Sequence, residues 1–85
     1  MNLNFTDKFK KDYKKLSLII QKQTNVKLNL LAGGNLLHPS LRVKKVKGCE
    51  DIYEGSVNMR HRFLFQIVPG GYNLLRVGTH NILEK

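Results

Sequence analysis

Cysteine occurs once, at Cys49, and tryptophan not at all. A lone thiol excludes an internal disulfide, which agrees with a reducing compartment. No run of about 18 apolar residues is present, so no membrane-spanning helix is expected. The opening MNLNFTDKFKKDYKK has no apolar signal-peptide core, and the expectation is a cytoplasmic chain with no membrane partner. No internal repeat or low-complexity segment is visible. Acidic residues are also scarce, six Asp and Glu against 15 Lys and Arg, for a formal net charge of +9. On a small domain that imbalance favours polyanionic partners, nucleic acid or an acidic protein first among them.

What is present is a globular composition, 41% apolar and 25% charged over 85 residues. That length accommodates a single domain, taken as residues 1–85, with one core. A chain this size buries only roughly 60–65% of its unfolded surface, so a partner covering exposed apolar surface would stabilise it.

In chain order, Asn2 to Phe5 suits a short edge strand. Thr6 or Asp7 can cap a helix by accepting from free first-turn amides. Phe9, Tyr13, Leu16 and Ile20 then recur at helical spacing, predicting an amphipathic helix of about four turns, its lysines largely off the stripe. Thr24 or Asn25 is placed as the cap of a second, shorter helix carrying Val26, Leu30 and Leu31, ended by Gly33-Gly34. The glycine pair is no phosphate loop, because no GK[ST] follows and no strand leads into it. From Leu41 the period drops to two. LRVKKVKG alternates apolar and basic residues with a slip at Lys44-Lys45, and Gly48 to Asp51 makes a turn.

Three short strands follow, IYEGSV, RFLFQIV and YNLLRVGTH, joined by NMRH and PGG turns. Parity assigns Phe63, Phe65 and Ile67 to a face packed on the helices, and Arg62 and Gln66 to the open face. With Asn58 to Arg60 as the turn, Glu54 lies opposite Leu64 and Ser56 opposite Arg62, so Arg62 is a diagonal neighbour of Glu54. In the last strand Leu75, Val77 and Thr79 are placed inward, which sends Arg76, Gly78 and His80 outward. Tyr72 is read as a loop residue packing locally. The expected fold is α+β: two N-terminal helices on one face of a twisted, mainly antiparallel four-stranded sheet, with the N-terminal segment as a possible fifth edge strand. Its open face collects Glu54, Arg62, Arg76 and His80.

The order of these elements, with LRVKKVKG, EDIYEGSV, RFLFQI and LLRVGTH at these spacings, resembles the RelE/ParE superfamily of small bacterial and archaeal toxins. The resemblance covers nearly the whole chain. It implies a compact α+β toxin domain, a cognate antitoxin protein that wraps and silences it, and, in the RelE/YoeB-like branch, cleavage of mRNA on the ribosome. It also implies roles. Arg62 matches the arginine that holds the scissile phosphate, His80 the C-terminal histidine or tyrosine, and Arg76 a further phosphate-binding arginine. Glu54 and Ser56 stand where the founding nuclease type has lysines, which is a departure.

Metal-independent cleavage needs a base for the ribose 2′-OH, a cation at the phosphoryl oxygens and an acid for the leaving 5′-oxygen. Glu54, Arg62 and His80 are the catalytic candidates, in that order. Arg76, Lys44, Lys45, Lys47 and Arg60 are the candidates for RNA phosphate contact, although the same lysines suit a solvated edge. The 2′-OH nucleophile makes RNA the substrate. No metal or small-molecule cofactor is called for. Two other readings stay open at this point: a non-enzymatic ParE-type inhibitor of DNA gyrase, and a degenerate homologue that only binds its antitoxin.

Overall fold

The computed structural model describes residues 1–83, including every side chain among them except those of His80 and Leu83. Strand β1 (Asn2–Phe5) leads into helix α1 (Asp7–Lys14). Thr6 caps α1, its hydroxyl oxygen accepting from the Phe9 amide at 3.1 Å. The same hydroxyl donates towards the carbonyls of Leu74 and Leu75 at 3.0 and 3.1 Å, so the cap also fixes the helix to a distant strand. Asp7 in the first turn and Lys11 and Lys14 in the last complement the helix dipole.

The single four-turn helix expected from Phe9 through Ile20 is in fact two helices. The chain breaks after Lys14, and helix α2 runs over Leu18–Ala32, capped by Ser17 rather than by Thr24 or Asn25. Ser17 takes an extended backbone (φ −62°, ψ 160°) and accepts from the Ile20 amide at 3.4 Å. Phe9, Tyr13, Leu16 and Ile20 keep helical spacing because all four pack on one core, not because one helix carries them. Thr24 lies fully buried inside α2 and donates back to the Ile20 carbonyl at 2.8 Å, which satisfies its hydroxyl within the helix. Asn25 accepts from the Tyr13 hydroxyl at 2.7 Å, tying the two helices together.

The Gly33-Gly34 terminator holds. Asn35 N donates to Leu30 O and Gly34 N to Leu31 O, each at 3.0 Å, with Gly34 left-handed at φ 85°. Those two bonds close a Schellman motif and satisfy carbonyls that the helix end would orphan.

The alternating LRVKKVKG segment forms less strand than expected. Pro39–Leu41 is a 3-10 turn that buries Leu41, Arg42 is left-handed at φ 46°, and strand β2 is reduced to Lys44–Lys45. Strands β3 (Tyr53–Ser56), β4 (Arg62–Val68) and β5 (Gly71–Gly78) complete the sheet. Its order is β1-β5-β4-β3-β2, antiparallel except for the parallel β1–β5 pair, so the four-stranded antiparallel core gains the fifth, edge strand.

The β3–β4 register is the one read from the sequence, with Glu54 opposite Leu64 and Ser56 opposite Arg62. The β4–β5 register shifts between Leu64 and Phe65: Arg76 pairs with Leu64 but Leu74 with Phe65, leaving Leu75 as an extra residue. This bulge corrects two placements. Leu74 and Tyr72, not Leu75, are buried on the helix face, while Val77 returns to that face beyond the bulge. Tyr72 is therefore core, meeting Phe65 edge-on with ring centroids 5.6 Å apart. Thr79 is exposed rather than inward. Ile67 keeps its parity but is 46% exposed, so the helical cover stops short of it.

One cluster links Phe9, Leu28 and Leu31 of the helices to Phe63, Phe65, Leu74 and Val77 of the sheet. Pro69 and Gly70 make the β4–β5 turn, and Gly71 already belongs to β5. A Cβ at Gly71 would stand 2.1 Å from the Asn2 carbonyl oxygen, so only glycine lets β1 dock there. No described helix is long and apolar enough to cross a membrane.

Candidate active site

Glu54 sits near the middle of the sheet, in β3 between β2 and β4, and is only 7% exposed. A carboxylate so placed requires compensating charge. Lys44, its direct cross-strand partner, brings Nζ to 3.8 Å of Glu54 Oε1, and Arg62, its diagonal partner on β4, brings Nε to 3.8 Å of the same oxygen. The two arms differ in worth: the Lys44 side chain is 72% exposed and the Arg62 side chain 21%. Solvent screens the first far more than the second.

Arg62 is held from its other side by the turn that precedes it. Its Nη1 donates to the Asn58 carbonyl, to the His61 carbonyl at 3.0 Å and towards Ser56 Oγ at 3.5 Å. Asn58 in turn shapes that turn, Oδ1 accepting from the amides of Arg60 and His61 at 2.9 Å each. Asn58 Nδ2 donates to Gln23 Oε1 at 2.7 Å, anchoring the turn to α2. Arg62 is thus a preorganised cation, fixed to three backbone and side-chain acceptors before any ligand arrives.

Arg76 lies in the same cross-strand row, opposite Leu64, which is opposite Glu54. Its guanidinium is engaged elsewhere. Nε donates to Asp12 Oδ2 at 2.6 Å and Nη2 to Oδ1 at 3.2 Å. That hydrogen bonding raises the Arg76 proton affinity above its usual value, against the opposing effect of burial. The structure therefore brings Lys44, Glu54 and Arg62 together and joins Arg76 to helix α1 instead. Asp12 was not singled out from the sequence, where it is one acid inside a lysine-rich helix.

His80 opens the 3-10 turn His80–Leu83 that follows β5, but its side chain lies outside the described residues. Lys44, Lys45 and Lys47 are exposed along the β2 edge, and Arg60 is exposed in the β3–β4 turn. Beside Arg62 a cleft of about 330 Å³ is lined also by Lys27 and Arg42, two cations that carried no signal in the sequence. Lys27 belongs to α2, and Arg42 is itself the left-handed residue after the 3-10 turn.

No family model and no curated protein matches the sequence significantly. Solved structures do match in shape. The YoeB dimer structure from Staphylococcus aureus aligns at a TM-score of 0.79 and 19% identity, covering 94% of this chain and 97% of that one. YafQ in the DinJ–YafQ complex of E. coli aligns at 0.80 and 16%, covering 99% and 98%. The RelB–RelE antitoxin–toxin complex of Methanococcus jannaschii aligns at 0.77 and 21%, covering 94% and 93%. At such identities the likeness is one of architecture, and it extends over nearly the whole chain. The chain has the RelE-like fold.

Proposed function

We propose that this chain is the toxin of a type II toxin–antitoxin pair, a cytoplasmic single-domain endoribonuclease of residues 1–85 that halts translation by cutting mRNA on the ribosome without a metal. The observation that carries the proposal is Glu54, buried on the sheet and facing an arginine already fixed in place by its own turn. A carboxylate acceptor beside an anchored cation is the pair that phosphodiester transfer demands.

In this mechanism Glu54 takes the proton of the ribose 2′-OH. The 2′-oxygen attacks phosphorus, forming the new P–O2′ bond while the P–O5′ bond breaks, and the product is a 2′,3′-cyclic phosphate with a free 5′-hydroxyl. Arg62 donates to the phosphoryl oxygens as negative charge builds on them. His80 supplies the proton for the departing 5′-oxygen. Lys44 shares Glu54 with Arg62 and passes to phosphate once RNA is bound; Lys45, Lys47 and Arg60 extend the cationic rim along the backbone. Arg76 reaches phosphate only through the guanidinium edge that Asp12 leaves open.

An antitoxin is the expected protein partner. YafQ, RelE and YoeB have been solved in complex with DinJ, RelB and YefM, respectively. On this chain the groove between α1 and α2, about 410 Å³ and lined by Phe5, Phe9, Tyr13 and Leu28 with Lys10 and Lys14 beside them, suits an acidic amphipathic segment.

In vitro translation with mapped mRNA 5′ ends tests the nuclease. Wild type should cut ribosome-bound mRNA, and Arg62→Ala or His80→Ala should abolish the cuts. Intact mRNA with wild-type protein, or gyrase inhibition in a supercoiling assay without RNA cleavage, would sink the proposal.

A further inference from the structure

The cleft on the far side of Arg62 has no role in the cleavage chemistry, and its construction is that of an anion site. Its wall is shared by three elements remote in sequence: Lys27 from α2, Arg42 after the 3-10 turn, and Arg62 with Ser56 from the β3–β4 hairpin. Among the described residues three cations border it and no carboxylate does. Glu54, which pairs with Arg62, meets Nε, whereas Nη1 lies on the side of Ser56 and Asn58. Arg62 therefore stands as a partition, one edge towards the carboxylate and the other towards the cleft.

Two features show that the cations are gathered there at a cost. Arg42 is the one non-glycine residue with positive φ among those described, at 46°, a conformation that an L-residue other than Asn or Asp seldom takes. Lys27 is half-buried and spends one ammonium proton on the Ser40 carbonyl at 2.8 Å. Burial first, and the nearby Arg42 second, lower its proton affinity. Like charges assembled in this way are mutually unfavourable until an anion enters between them, which turns each of those penalties into an attraction. Met59, 86% exposed at the mouth, offers an apolar surface on which a base can lie.

We propose that the Lys27–Arg42–Arg62 cleft is a second phosphate-binding subsite, holding a backbone phosphate of single-stranded RNA next to the one at the Glu54–Arg62 pair. The RNA identity of the ligand rests on the nuclease reading; the anion site itself rests on the cleft. A subsite of this kind acts on binding and register of the strand, not on bond breaking, and so belongs in KM.

The test uses the full chain and a fluorescent single-stranded oligoribonucleotide with 2′-O-methyl at every position, which cannot be cut. Anisotropy titrations over a salt series give affinity and its salt slope. Arg42→Asn tolerates the left-handed backbone and removes the charge, and Lys27→Gln does the same on α2. Each should weaken binding about fivefold and reduce the slope by about 0.7, the value for one phosphate contact on a single strand. Arg42→Lys should retain the slope. Lys22→Gln removes an equal charge from the exposed face of α2 outside the cleft and should change neither quantity. Melting temperatures identify any variant that fails to fold.

In the cleavage assay the two cleft variants should raise KM and leave kcat within about twofold. Wild-type affinity and slope in both cleft variants, or an equal loss in Lys22→Gln, would overturn the subsite. Binding that depends on the cleft without any cleavage by wild type would retain the subsite and defeat the nuclease reading. Absence of both binding and cleavage would defeat the two together.

Discussion

Asp12 and Arg76, 64 positions apart, form a two-toothed ion pair, and the same Asp12 carboxylate accepts the Val77 amide at 3.2 Å. Strand β1 stops pairing with β5 at Leu74. Beyond that point α1 takes over the outer edge of β5, and Asp12 supplies the acceptor that a neighbouring strand would have given. The pair is thus a continuation of the sheet by other means.

Asp12→Ala should lower stability by about 1–2 kcal/mol, the range for charge-assisted hydrogen bonds reduced for a partly exposed arginine. Asp12→Asn should recover part of the loss through the Val77 amide. Urea denaturation measures both. The sign with pH is simple. A raised arginine proton affinity stabilises the fold at every pH below the ordinary arginine value and fails only as pH climbs through the raised one. The Arg76 proton should therefore contribute no loss of stability between about pH 6 and 9. An Asp12→Ala protein as stable as wild type would contradict the assignment.

Single-turnover cleavage would separate the roles proposed for Glu54 and Arg62. Arg62→Gln should slow the chemical step by about 10²–10³, as for loss of one preorganised donor to developing charge. Glu54→Gln should cost about 10²–10⁴ in the same step. Arg62→Lys keeps a charge but forfeits the grip of the Asn58 and His61 carbonyls, so it should recover little. Full recovery would mean that charge alone matters there.

Gly71→Ala tests the β1–β5 junction. The added methyl collides with the Asn2 carbonyl, and this backbone oxygen cannot swing aside as a side chain would. A loss of about 1–3 kcal/mol is expected, with faster amide exchange along Asn2–Phe5. Unchanged exchange in β1 would show that the strand docks differently.

Lys27 gives a stability change of opposite sign. Its folded proton affinity is lowered, so the folded state releases this proton before the unfolded state does as pH rises. Wild type should gain stability relative to Lys27→Met as pH approaches the ordinary lysine value of 10.5 from below. Paired denaturant titrations at pH 7 and 10 measure it, and a flat difference refutes it.

Much of the sheet was legible because its side chains alternate so firmly. Phe63 and Phe65 admit one orientation of β4, and that fixed Glu54 opposite Leu64 and Arg62 on the diagonal. What escaped was set by contacts that periodicity does not encode. The spacing of Phe9 to Ile20 is helical whether one helix or two carry it, and Ser17 reads as an ordinary polar residue until its hydroxyl is seen capping. The bulge at Leu75 inserts one residue into a strand whose apolar letters on both sides disguise it, and it relocates Tyr72 from loop to core. For the site, the Glu54–Arg62 pair followed from register. Asp12, Lys27 and Arg42 did not, because each acts through a partner far away in the chain.

The parallel pairing of β1 with β5 carries one more consequence. Asn4 and Asn73 bond although they lie 69 positions apart, whereas β2 to β5 assemble by short hairpin steps. Strand β1 must wait for β5, the last of the described strands, before its edge is satisfied, and closing so wide a span is slow compared with local hairpins. A nascent chain can hence hold both helices and yet lack a finished sheet. During that interval α1 has neither the Thr6 contacts to Leu74 and Leu75 nor the Asp12 grip on Arg76, so the arrival of β5 secures the first strand and the first helix together.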